Sequence, residues 1–423
     1  MGTAHLARMG SILCLLLVVV ACSSTAKPSA TVVTSSAASA TPPPSPSPSP
    51  TPSPTASLRP MAPATIKPGP KMTPAREGQA AVRLDDGRVL IMGGTIPFTG
   101  KCEMACVAPA TASVEIYDPK TGKFSPDGSL AEPRSDGQAL LLNDGRVLVS
   151  GGDGCQYSDC NTIEIYDPAK KASVVVKPPS GMQGLPVDPT AVKLADGRVL
   201  IAGGMYDQAT STSNATLIFD AASGAFSQGP LMAKPRQGAT ATLLDDGRVL
   251  IAGGDYYDSG YGYQNNNAEL IDPSHPLSQA ILLESQDPAT STRLSDGRVL
   301  LAGGGPYADG ANCETPVAAE VFDPKTERFS PMGPMSTPRT GSAAIRIQDG
   351  RVLVFGGLDS NCAAVRTVEA FDPDSGTFQV IATGFPDLTD FSATLLNDGR
   401  ILIAGGSGNN DWSLTAASWL LKP

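Results

Sequence analysis

The sequence predicts an all-β fold: a seven-bladed β-propeller of four-stranded antiparallel blades, closed by an N-terminal outer strand in the last blade. Three observations carry this expectation. First, one phrase, Asp-Gly-Arg-Val-Leu-x-x-Gly-Gly, recurs from Asp86, Asp144, Asp196, Asp246, Asp296, Asp349 and Asp398, with Ile401 replacing Val in the last copy. Copies roughly 50 residues apart have the period of a propeller blade. Second, the position six before each turn glycine is small: Ala81, Ala139, Ala191, Ala241, Ser291, Ala344 and Ala393. Blades converge near an axis, where only small side chains fit. Third, the last repeat ends after a third apolar run, Ala416–Leu421. The missing strand is expected at residues 62–68, because Ile66 precedes Arg76 by the same spacing as Phe226 precedes Arg236 and Phe329 precedes Arg339.

The fourth repeat shows each element in order. Thr240–Leu244 is a β-branched and apolar run, and Val249–Ala252 is a second. An Asp-Gly pair between two such runs signals a hairpin, here expected as a type I′ turn with positive φ at both central residues. Gly253-Gly254 breaks strand geometry and allows close backbone approach. A variable loop follows, then Ala268–Pro273. That third run recurs as Val114–Pro119, Ile163–Pro168, Leu217–Asp220, Ala319–Pro324 and Val368–Pro373. A fourth strand carries Phe124, Phe226, Phe329 or Phe378. One such sheet buries too little to fold alone, whereas stacked sheets bury both faces.

The double glycine after the second strand and the aromatic-Asp pair in the third resemble Kelch motifs. The wording Leu-x-Asp-Gly-Arg-Val-Leu-x-x-Gly-Gly is similar to galactose-oxidase-like Kelch propellers, over residues 62–423. The resemblance implies the fold. It does not imply a task, since such propellers host enzymes and binding modules alike. The copper radical enzymes of that group use paired His with Tyr ligands. This chain has two histidines, His5 and His275, and His275 is expected on the face away from the long loops. The scaffold is therefore expected without the copper site, and no cofactor is expected.

The domain plan reads as a signal peptide over 1–21, a tether over 22–60 and the propeller over 61–423. Arg8 precedes the apolar run Ile12–Val20, which is too short for an ordinary membrane span. Val19-Val20-Ala21-Cys22 resembles a bacterial lipobox, so Cys22 is the expected lipidation site; an ordinary signal peptide is the alternative. Residues 23–60 are mostly Ser, Thr, Ala and Pro, a composition that builds no core. At roughly 3 Å per residue such a spacer reaches on the order of 100 Å. The expected location is a bacterial cell envelope, at the outer face of a membrane and facing the exterior or periplasm. Net charge is −10, which excludes the basic footprint that nucleic acid requires. A monomer is expected.

Six cysteines follow Cys22. Cys102 with Cys106, Cys155 with Cys160, and Cys313 with Cys362 sit in the same or neighbouring long loops. An even count in an exported chain reads as disulfides, and proximity gives 102–106, 155–160 and 313–362. The alternative is a four-thiolate zinc site from the first two pairs.

The loops between second and third strands are long and varied, whereas the Asp-Gly-Arg turns are uniform. Varied loops on a rigid frame are where function is placed. The richest loop runs Asp255, Tyr256, Tyr257, Asp258, Ser259, Gly260, Tyr261, Gly262, Tyr263, and holds four of the chain's 9 tyrosines. Tyr206, Tyr307 and Trp412 lie in equivalent loops. Tyrosine offers flat apolar area with a polar tip, suited to sugar rings or partner proteins. The alternative is a surface loop that packs on its own aromatics. Calcium is a further option, without an ordered ligand series. Arg76, Arg134, Arg236 and Arg339 either clasp an anionic ligand or pair with carboxylates of the next blade. The expected role is binding of a glycan or an envelope or extracellular protein through the long-loop face. The alternatives are a copper-free carbohydrate-active enzyme, mutarotase- or lyase-like, using carboxylates and tyrosines at the axial end of that face, and a structural module of an envelope complex.

Overall fold

The computed structural model describes residues 60–99, 108–152, 162–179, 185, 188–206, 211–258, 261–275, 281–284, 290–304, 319–408 and 413–423. They belong to one compact unit, Ser57–Gly100 with Ala108–Pro423. A second unit, Met1–Ala56 with Lys101–Val107, lies outside the described residues, and with it the expected signal peptide, Cys22 and most of the tether.

All regular structure among the described residues is strand, and the fold is a β-propeller. Each repeat forms its ladder in chain order, as in Thr190–Lys193, Val199–Ala202, Thr216–Asp220 and Ala225–Gln228. The first two repeats are joined into one eight-stranded sheet by a single parallel bridge, Ser129 to Ala172. In the last repeat the outer position is taken by Thr65–Pro68, which pairs antiparallel with Ser418–Lys422, Ile66 opposite Leu421. The first and last strands of the propeller thereby share one sheet, and Thr65–Pro68 covers the outer edge of Ser418–Lys422. The inner strand of each repeat lies beside that of the next, and Ser392–Leu395 of the last lies beside Ala80–Arg83 of the first.

The second strands explain the Val-Leu-x-x wording. Val89–Met92 and its six equivalents are buried at every position. A strand buried on both faces must be apolar throughout rather than alternating. The core clusters lie between consecutive repeats, not within them: Leu90, Met92 and Ile116 of the first meet Val147, Val149 and Tyr166 of the second. Leu402 and Ala404 of the last meet Val89, Ile91 and Tyr117 of the first. The fourth-strand phenylalanines sit opposite third-strand rings: Tyr117–Phe124, Phe219–Phe226, Phe322–Phe329 and Phe371–Phe378 have centroids 4.9–5.1 Å apart. Tilted pairs of this kind add about 0.5–1.5 kcal/mol each beyond their buried area.

The Asp-Gly-Arg turn differs from the expected type I′. Only the glycine has positive φ (Gly87 at 88°, Gly247 at 87°), and no turn Asp does. Gly87 N–H donates to Leu84 O, and Leu84 N–H donates to Arg88 O. This is a three-residue loop, a type I turn followed by a left-handed residue. The residue before Asp, Asp85 in this copy, belongs to the loop and lengthens it by one. Asp86 accepts from Arg88 N–H at 3.0 Å and from Arg88 Nε at 2.7 Å. In the second, fourth and fifth repeats the guanidinium held this way also reaches the next repeat: Arg146 Nη2 donates to Ala221 O at 2.8 Å, Arg248 Nη2 to Pro324 O at 3.3 Å and Arg298 Nη2 to Pro373 O at 3.2 Å. In those three copies the phrase is an inter-repeat staple. His275 lies in the turn after a third strand, exposed, with Nδ1 2.7 Å from Asp272 Oδ2.

Candidate functional site

The face opposite those turns is built from the double glycines. A Cβ on Gly93 would stand 2.2 Å from Arg134 O, so this position excludes any side chain. The close approach lets Gly94 N–H donate to Arg134 O at 2.8 Å, linking the first repeat to the second. Gly204 with Arg236, Gly304 with Arg339 and Gly406 with Arg76 repeat the contact. The third repeat carries no arginine here, and Asp188 Oδ1 accepts from Gly152 N–H at 3.0 Å instead.

The same four arginines turn their side chains inward. Arg76, Arg134, Arg236 and Arg339 are 0–2% exposed. Arg236 Nη1 donates to Gly253 O at 2.7 Å, and its Nη2 donates to Asn267 Oδ1 at 2.5 Å and to Glu269 at 2.6 Å. Arg76 meets Glu115 at 3.2 Å, Arg134 meets Glu164 at 2.9 Å and Arg339 meets Glu369 at 2.5 Å. Each glutamate also accepts from the backbone just before its arginine, as Glu269 does from Ala233 and Lys234 N–H at 2.6 and 2.9 Å. The anion-clasping option for these residues therefore meets buried guanidiniums already committed to carboxylates and carbonyls. The carboxylates belong to the arginine's own repeat, not the next one. Burial acts more strongly than attraction: Arg76 and Arg339 are pushed below the usual arginine range and Glu115 above the usual carboxylate range, each by desolvation first. Such a pair fixes geometry more than it adds stability.

The glutamates carry a signal in the sequence. An acid inside an otherwise apolar third strand accompanies the upstream arginine in the first, second, fourth and sixth repeats. Where the arginine is absent in the third and last, Leu217 and Trp419 occupy the strand position. The fifth keeps Glu320.

Above this frame, the loop expected at 255–267 contains a hairpin. Asp255–Asp258 pairs with Tyr261–Gln264, Tyr256 directly opposite Tyr263. Their rings stack at 5.1 Å and 20°, and Tyr263 is 47% exposed. Tyr257 belongs to the other side of the hairpin, its ring edge over Gly262. Tyr257 N–H donates to Thr212 Oγ1 at 2.8 Å, tying this hairpin to a smaller one, Met205–Tyr206 with Ser211–Thr212, from the third repeat. The expected aromatics thus divide. Tyr256, Tyr257, Tyr263 and Asp255 share one hairpin. Tyr206, Asp258 and Tyr261 are placed by their backbones in these strands, their side chains lying outside the described residues. Tyr307 and Trp412 lie outside as well, as do Cys102, Cys106, Cys155, Cys160 and Cys313. Cys362 is disulfide-bonded, to a partner beyond the described residues. Among the described residues no group of three His, Cys, Asp or Glu side chains gathers to hold a metal.

Clefts on the turn face lie at junctions between repeats. One of about 290 Å³ is lined by Asp86, Arg88, Asp118, Lys120 and Asp398. Its equivalent of about 450 Å³ is lined by Asp246, Asp296, Arg298, Asp323 and Lys325. Both are formed by the turn residues, and they mirror one another because the repeats do.

Residues 339–384 match the Kelch motif. No curated protein matches the sequence. Among solved structures the chain is similar to a fungal alcohol oxidase of the AA5 family, in complex with copper, with TM-score 0.61 and 17% identity, covering 85% of this chain and 76% of that one. At that identity the likeness speaks for the fold alone. The chain carries a Kelch motif within a β-propeller.

Proposed function

We propose that this chain is a seven-bladed propeller acting as a binding module, which recognises a glycan or an envelope or extracellular protein through its long-loop face. Seven copies of the turn phrase, inner strands that succeed one another around to the first, and an N-terminal outer strand in the last sheet support the blade number. The observation that carries the binding role is the fourth-repeat hairpin, with Tyr263 backed by Tyr256 and half open to solvent. A stacked tyrosine costs little conformational freedom on contact and presents both a flat apolar face and a hydroxyl. The turn face offers no such variety, because its arginines are held by the turn aspartates. A lipid anchor at Cys22 and a Pro/Ser/Thr-rich spacer would display this face away from a bacterial membrane.

The copper chemistry of the similar oxidase does not transfer. Of the two histidines, His5 precedes the expected cleavage site and His275 lies on the turn face, bonded to Asp272. The test is capture by the soluble propeller, residues 57–423, on a glycan array and on a panel of secreted proteins. Binding lost in the Tyr256→Ala, Tyr263→Ala double variant, with unchanged circular dichroism, is the expected result. Capture that survives the double variant removes this hairpin from the site.

A further inference from the structure

At the foot of the fourth-repeat hairpin two side chains that accept hydrogen bonds, those of Gln237 and Asp255, share one side of a backbone bridge, with no donor to either acceptor among the described residues. Gln237 N–H donates to Asp255 O at 2.8 Å, and Asp255 N–H donates to Gln237 O at 3.0 Å. A cross-strand pair that exchanges both bonds sends its two side chains to the same side. Gln237 Oε1 is buried with no partner among the described residues. The half-buried Asp255 carboxylate is approached by no donor or cation among them; burial alone acts on it and holds it above the usual carboxylate range. Tyr257, two residues along the same strand, shares that side, and its ring is steadied over Gly262 while its N–H is held by Thr212.

This arrangement has a definite complement. A partly buried charge without a partner is costly, so what fits here brings positive charge. A second bare acceptor on the same side asks for more than one N–H. An aromatic ring along the wall favours a cation over a neutral group. A hard metal ion is a poor fit, since calcium takes six to eight oxygens and no third acidic, His or Cys ligand gathers among the described residues. A neutral hydroxyl satisfies the acceptors and leaves the charge. The chain's net charge of −10 draws cations to it. We propose that Asp255, Gln237 and Tyr257 form a subsite for a primary ammonium group carried by the ligand. The carboxylate supplies the charge, the amide oxygen the second acceptor, and the tyrosine ring a face for the alkyl stem. The inference rests on the long-loop face being the binding face, and it narrows the ligand to one bearing a free amine: an amino sugar or a lysine side chain.

The experiment titrates the soluble propeller, by calorimetry at pH 7 and low salt, with a glucosamine tetramer and its fully N-acetylated form, and with a Gly-Lys-Gly peptide and its Nε-acetylated form. Binding of at least one free amine, weakened ten-fold or more by acetylation and again by Asp255→Asn, is expected; which amine binds identifies the source. The same Asn variant is expected to melt higher than the parent at pH 7, with the difference closing as pH falls through the carboxylate's folded pKa. The sign follows because the charged form is disfavoured in the fold, so removing it helps only where it is charged. Equal binding of free and acetylated probes, no binding of either amine, or an Asp255→Asn variant that binds unchanged overturns the proposal. A variant that melts lower makes Asp255 a structural residue and also overturns it. Loss of amine preference with capture still dependent on Tyr256 and Tyr263 would sink this subsite alone, whereas loss of both would sink the face.

Discussion

Replacing Arg236 by Leu should be among the most damaging single changes in the fold, and its partial repair is written in the sequence. The guanidinium donates to Gly253 O, Asn267 O, Asn267 Oδ1 and Glu269. Its loss strands Glu269, which is 0% exposed, among apolar neighbours and leaves Gly253 O without its donor. Breaking a buried pair from one side costs about 3–5 kcal/mol. Unfolding entropy is about 2 cal/mol/K per residue; for a cooperative unit the size of Ser57–Gly100 with Ala108–Pro423 this means a melting shift of roughly 4–7 °C. The double variant Arg236→Leu, Glu269→Leu copies the third repeat, where Leu217 faces Ile201 with no arginine upstream. It should regain more than half of the loss. The residual deficit comes from Gly253 O, which still lacks its donor, and from Ala233 and Lys234 N–H, which lose an acceptor but lie near water. Scanning calorimetry at pH 7 reads both variants. A single variant within 1 °C of the parent, or a double variant no better than the single, would refute the clamp.

Two other perturbations separate backbone from packing effects. Gly247→Ala meets nothing within 4 Å and costs only its left-handed backbone, about 1–2 kcal/mol in urea unfolding; Gly94→Ala, whose Cβ would stand 2.7 Å from Glu77 O, should cost more or prevent folding. Removing residues 60–68 uncovers Trp419–Lys422, so the truncated protein should associate further than the parent by sedimentation, while Arg88→Ala, which touches only an exposed turn pair, should sediment as the parent does.

Much of the frame was legible because it is repeated. A fully buried second strand must be apolar, a tight turn needs its glycine, and a ring leaves its last sheet one strand short. The turn type was misread because Asp-Gly alone points to two loop residues, and the preceding residue, Asp85 or Asn143, carries no mark of belonging to the loop. The glutamate partners were harder to see, since one acid in a strand such as Val114–Pro119 looks like a solvent-facing position until the arginine is placed behind it. The hairpin inside 255–264 was hidden by reading the tyrosines as contact area. The Ser259-Gly260 pair between two tyrosine-bearing runs was itself a turn signal. Nothing in the sequence marks Gln237 as the neighbour of Asp255, because that pairing depends on a connection between repeats folding back against the double glycine.

An experimental structure of the soluble propeller tests the architecture most directly. Seven four-stranded sheets around one channel, with Thr65–Pro68 hydrogen-bonded to Ser418–Lys422 and the hairpin at Tyr256 and Tyr263 standing on the long-loop face, are the expected result. A different number of sheets, or an N-terminal strand detached from the last of them, would contradict it.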